Sequence, residues 1–90
     1  MPRLWVRIDG RVQGVGYRYF VQRRAAQHAI TGWVKNRADG SIEIEAVGKK
    51  PALEEFLSYV RVGPPAANVS HAVARWFDEE PVYKGFDVRF

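Results

Sequence analysis

The 90-residue chain contains no cysteine. Disulfide staples, thiolate nucleophiles, iron–sulfur clusters and Cys-based zinc sites are excluded, and the fold must hold by packing alone. Histidine is nearly as scarce: His28 and His71 are the two available imidazoles, too few for a His-rich metal centre. Chemistry without a metal or cofactor is therefore expected. No apolar run approaches the length of a membrane span, and the opening MPRLWVRIDG has no apolar signal core. A soluble, cytoplasmic protein without a membrane partner is expected. Linkers, internal repeats and low-complexity segments are missing too.

What is present suits one small globular unit. The chain is 47% hydrophobic and 13% aromatic, enough for one core, so a single domain over residues 1–90 is expected. The net charge of +4 is unevenly placed. Residues 1–37 carry eight Lys or Arg against one Asp, a balance of +7, and residues 38–90 carry six against nine, a balance of −3. A basic half can mark a nucleic-acid surface or a site for a small anion, and charge alone does not separate them.

Hydrophobic periodicity orders the elements. Leu4, Val6 and Ile8 alternate with Trp5, Arg7 and Asp9, the pattern of a half-buried strand. From Tyr17 the period changes: Tyr17, Val21, Ala25 and Ala29 recur every fourth residue, which predicts a helix starting at or near Arg18. Two β-like runs, Gly32 to Arg37 and Ser41 to Val47, flank Asp39-Gly40, a hairpin signal. Leu53, Phe56, Leu57 and Val60 mark a second helix, with Pro51 in its first turn and Gly63-Pro64-Pro65 as its stop. VSHAVARWF and GFDVRF read as further strands. The order is βαββαβ with a short closing strand: an α+β, ferredoxin-like sandwich, predicted as an antiparallel sheet with two helices on one face. In that topology the first and second strands run the same way with the third between them. Their C-terminal ends then share one sheet edge, with Asn36 roughly 10 Å from the loop that leaves strand one.

That loop, QGVGYR, carries the chemistry. Gly14 and Gly16 permit positive φ, so the amides of Gln13, Gly14, Val15, Gly16 and Tyr17 can turn inward as an anion-binding nest beside a helix N-terminus. Arg18 adds a fork of donors suited to a phosphoryl group. A dinucleotide fingerprint would need glycine where Tyr19 stands, and no Gly-Lys-Ser/Thr exists for a nucleotide-triphosphatase loop. A phosphatase cysteine would have to replace Val12. Asp9 is the only carboxylate close to the loop, too little to clamp magnesium on a polyphosphate. A site here acts through its arginine and backbone.

GRVQGVGYRYFVQ, GWVKN, DGSIEIEAVG and the terminal GFDVRF together resemble the acylphosphatase family, over the whole chain. The resemblance implies hydrolysis of the carboxyl–phosphate bond of acyl phosphates to a carboxylate and inorganic phosphate, without metal or cofactor. It implies Arg18 as the phosphate-binding side chain, Asn36 as the residue that orients the attacking water, and the amides of Gln13 to Tyr17 as phosphate donors. One position departs from the family pattern: the first helix ends on Ala29 where the family usually has glycine. A left-handed cap on alanine is strained by roughly 1 kcal/mol, so a different helix end is expected.

The residue types suffice for that reaction. A carboxylate is a good leaving group, so no general acid is required, and phosphoryl transfer is accelerated mainly by positioning and charge stabilisation. An asparagine amide cannot act as a base near neutral pH but can hold a water. Arg23 and Arg24 are read as a solvated helix face. Trp5, Trp33, Tyr19 and Phe20 are read as packing residues. Two competing functions are a phosphate-ligand or carbamoyl-phosphate-handling domain of the same fold, and an RNA-binding module. The latter is disfavoured by Glu43 and Glu45 on the open face of the central strand. A monomer with a small-molecule partner and no nucleic acid is expected.

Overall fold

The computed structural model describes residues 1–78 and 81–90. Among them the elements are β1 (Arg3–Arg11), α1 (Tyr17–Gln27), β2 (Thr31–Asn36), β3 (Ile42–Val47), α2 (Lys50–Val60), β4 (Asn68–Phe77) and β5 (Phe86–Arg89). Neither helix is long and apolar enough to cross a membrane.

The alternation in β1 does what its period requires. Leu4, Val6 and Ile8 lie on one face opposite Ala46, Ile44 and Ile42 of β3, and all six are fully buried. The stripes Tyr17, Val21, Ala25 of α1 and Leu53, Phe56, Leu57, Val60 of α2 join them in one cluster. Each such Leu, Ile, Val or Phe contributes about 1.5–3 kcal/mol by leaving water, so register is firmly set on this face. A slip of one residue would turn every apolar side chain of the strand outward.

The opposite face is polar but internally paired. Glu43 accepts hydrogen bonds from Trp5 Nε1 at 2.8 Å and Arg37 Nη1 at 3.1 Å, and Arg3 Nη1 meets Glu45 Oε1 at 2.8 Å. The hairpin turn between β2 and β3 is closed by Asp39, whose carboxylate accepts from the Ser41 hydroxyl at 2.6 Å and amide at 3.0 Å.

Strand order is β4-β1-β3-β2-β5, so β1 and β2 flank β3 as expected. The predicted antiparallel sheet is corrected at its margin: β5 pairs parallel to β2, with Gly32 beside Phe86 and Lys35 beside Arg89. The reason is topological. β4 runs antiparallel to β1 and ends where β2 begins, so a strand starting there on the far edge must run alongside β2. This brings the last residues to the sheet edge where β1 and β2 end.

The end of α1 is a second correction. Ala29 adopts the left-handed conformation, φ 55°, despite its Cβ. The Ile30 amide donates to the Ala25 carbonyl at 3.0 Å and the Ala29 amide to the Ala26 carbonyl at 3.5 Å, the double closure of a Schellman motif. These bonds, and burial of Ile30 at 3% exposure, hold alanine in a conformation that glycine would adopt without strain.

Candidate phosphate-binding site

Between β1 and α1 the chain bends with Gly14 at φ 74° and Gly16 at φ 78°. Gly16 is the N-cap residue of α1, and no side chain caps the helix. Its first intrahelical bond runs from the Phe20 amide to the Gly16 carbonyl at 3.1 Å. The amides of the first turn are therefore left as donors without a side-chain acceptor, at the positive end of the helix dipole.

Tyr17 anchors this turn from beneath. Its ring is 2% exposed and its hydroxyl donates to the carbonyl of Val60, the last residue of α2, satisfying one of the free carbonyls at that helix end. Burial raises the phenol above its ordinary range. The ring belongs to the core while the backbone of the same residue belongs to the loop.

A cavity of about 110 Å³ opens over the loop, walled by Val12, Gly14, Gly16, Tyr17, Arg18, Tyr19 and Asn36. This is well below the roughly 300–1,000 Å³ of pockets for drug-sized ligands, and its size suits a group of a few heavy atoms. Arg18 and Asn36, from α1 and β2, thus share one wall, as the common sheet edge predicted.

Each is held differently. Arg18 Nη1 donates to the carbonyl of Arg89 at 2.9 Å, and its guanidinium carbon lies 4.5 Å from the Phe90 ring centre. One of its five donors is thereby used and the group is oriented by the strand that runs parallel to β2. Asn36 presents the opposite condition. Its Oδ1 is buried and accepts no hydrogen bond from any described residue. A buried carbonyl oxygen without a donor costs about 1–3 kcal/mol. Asn36 is the residue of the cavity wall that carries this unsatisfied acceptor.

The remaining predicted residues support the loop from outside the cavity. The Gln13 side-chain amide donates to the carbonyls of Arg37 at 2.8 Å and Ser41 at 3.0 Å, tying the loop to the hairpin just past Asn36. Val15 packs against the core. Neither lines the cavity. Asp9 is engaged by Arg7, with Nε to Oδ2 and Nη2 to Oδ1 both 3.1 Å. Among the described residues no three His, Cys, Asp or Glu side chains are grouped to hold a metal.

Two contributions escaped the sequence reading. The backbone of Arg89 and the ring of Phe90 were seen only as strand, because the direction in which β5 pairs cannot be read from its alternation. Tyr19 was read as packing, yet it is 52% exposed and on the cavity wall. Its place two residues after Tyr17, off the buried Tyr17–Val21–Ala25 stripe, was the available signal.

Residues 4–88 match the family model for acylphosphatase. The chain is 46% identical over 87 residues to a protein named acylphosphatase from Salinibacter ruber, covering 97% of this chain and 92% of that protein. The crystal structure of an acylphosphatase from Bacillus subtilis superposes with a TM-score of 0.97 at 39% identity, covering all of both chains. A crystal structure of full-length HypF in a phosphate- and nucleotide-bound form matches with a TM-score of 0.86 at 27% identity, over 99% of this chain but 12% of that one.

Proposed function

The chain belongs to the acylphosphatase family and hydrolyses the carboxyl–phosphate bond of acyl phosphates, and we propose that Arg18, the loop amides and Asn36 carry that reaction. The observation behind this assignment of roles is that Asn36, whose buried Oδ1 has no donor among the described residues, lines one 110 Å³ cavity with Arg18 and two left-handed glycines.

The amides of the 13–17 loop and the free donors of Arg18 hold the three phosphoryl oxygens, where charge accumulates in a loose transition state. Asn36 Oδ1 accepts a hydrogen bond from water and holds it in line with the P–O bond to the acyl group. That bond breaks with its electron pair on the acyl oxygen. The acyl group departs as a carboxylate, needing no proton from the protein, and the water becomes part of inorganic phosphate. The proton it sheds passes to a phosphoryl oxygen, since neither amide nor guanidinium accepts one. The reading carries with it a single domain over 1–90 acting as a cytoplasmic monomer on a small molecule. Full-length acylphosphatase relatives weigh against a detached carbamoyl-phosphate-handling module.

The test is phosphate release from acetyl phosphate and benzoyl phosphate in the presence of EDTA. Release that survives chelation is expected, and a well-folded protein that released none would refute the reading. Arg18→Ala should lose both phosphate affinity and turnover, with about 3 kcal/mol of transition-state stabilisation removed. Asn36→Ala should lower kcat while the inhibition constant for inorganic phosphate stays near its native value, and an intact kcat would exclude the water-positioning role.

A further inference from the structure

In an in-line displacement the attacking and leaving oxygens stand on opposite sides of phosphorus. With water at Asn36, on β2, the acyl group must project from the phosphoryl site on the side away from that strand. This consequence rests on the acylphosphatase reading, and it narrows what the acyl group can touch.

The cavity wall offers few side chains to meet it. Val12 and Tyr17 are sealed in the core at 1% and 2% exposure, and Gly14 and Gly16 have no side chains. Arg18 turns its donors to phosphate and to the Arg89 carbonyl, and one face of its guanidinium is covered by Phe90. Tyr19 remains. It stands in the first turn of α1, lines the cavity and is 52% exposed. Nearby aromatic rings have partners: Arg24 stacks on Tyr59 at 3.8 Å and reaches Phe20 at 5.4 Å. Among the described residues no ring or cation packs on Tyr19. It is a rigid, largely apolar plate, open to solvent, on the wall of the same cavity.

We propose that Tyr19 is the specificity-determining contact for the acyl group, receiving flat apolar acyl groups against its ring, so that aromatic acyl phosphates are favoured over acetyl phosphate. Phosphate binding is common to all substrates, whereas an acetyl group is too small to cover the ring. Discrimination between acyl phosphates therefore resides here, outside the machinery that handles phosphorus.

The experiment compares kcat/KM for benzoyl phosphate and acetyl phosphate in the native protein, Tyr19→Ala and Tyr19→Phe. Differences in intrinsic reactivity of the two substrates cancel when the ratio in a variant is divided by the native ratio. Tyr19→Ala should lower the benzoyl-to-acetyl ratio by about 3- to 10-fold, the effect of losing one aromatic pair. The loss should appear mainly as a raised KM for benzoyl phosphate. Tyr19→Phe keeps the ring and should keep the ratio. An unchanged ratio in Tyr19→Ala would overturn the assignment, and so would equal losses on both substrates, which would place Tyr19 in service of phosphate or of the fold. Failure of the native protein to hydrolyse either substrate would instead refute the activity itself, so the two failures are distinguishable.

Discussion

Replacing Ala29 by glycine should stabilise this protein, although the change removes a methyl group. Ala29 holds φ 55° at the end of α1, where the Cβ of an L-residue crowds its own backbone at a cost of roughly 1–2 kcal/mol. Glycine removes that cost, but it also loosens the unfolded chain by about 0.5–1 kcal/mol. No packing is forfeited, because Ala29 is exposed. The net gain is about 0.5–1 kcal/mol, which for a domain of this size raises Tm by about 2–8 °C. The control is Ala26→Gly, also exposed and on the same helix but with helical backbone. There the identical chemical change should cost about 0.5–1 kcal/mol. Thermal unfolding followed by circular dichroism, with urea midpoints to compare slopes, measures both. Effects of opposite sign are expected. If Ala29→Gly lowered Tm, or moved it as Ala26→Gly does, the idea that a strained cap is held by the Ile30 and Ala29 amide bonds would be wrong.

Other expectations follow from groups around the loop. Burial holds the Tyr17 phenol protonated in the folded state above its ordinary range, while in the unfolded chain tyrosine ionises near about pH 10. Its contribution is therefore full below about pH 10 and is lost as pH rises beyond it. Tyr17→Phe should flatten the alkaline fall in Tm, and at neutral pH it should cost about 1 kcal/mol for the lost bond to the Val60 carbonyl. Phe90→Ala should loosen the Arg18 guanidinium. A cation–π contact at an exposed site is worth about 0.5–1 kcal/mol, so the inhibition constant for inorganic phosphate should rise about 2- to 5-fold, with little change in Tm. An unaltered constant would show that the Arg89 carbonyl alone orients Arg18.

Elements whose information is local were legible without the fold. Period two in β1 and the i, i+3, i+4, i+7 stripe of α2 each named the buried face, because one face of each must leave water. Gly14 and Gly16 announced left-handed backbone, and both adopt it. The closeness of Arg18 and Asn36, 18 residues apart, followed from topology: strands one and two run parallel around strand three, so their ends meet at one edge. Ala29 was misjudged because propensity at one residue was set against two hydrogen bonds and a buried isoleucine that only the packed helix supplies. For Tyr19 the helical period signals a side chain off the core stripe, but that it lines a cavity depends on the loop and β2 packed beside it.

By itself the sequence determined which residue types are available: no thiol, two imidazoles, an arginine beside a pair of glycines, and an asparagine at the end of the second strand. It also determined the element order, since hydrophobic period is a property of neighbours along the chain. The tertiary structure alone decided which groups are held and which are left open. The parallel pairing of β5 carries Arg89 and Phe90 to Arg18, and the packing of α1 on the sheet buries Tyr17 while leaving Tyr19 in solvent. Such outcomes depend on contacts between residues far apart in sequence, where strand direction and the room above a side chain are set by the whole chain at once.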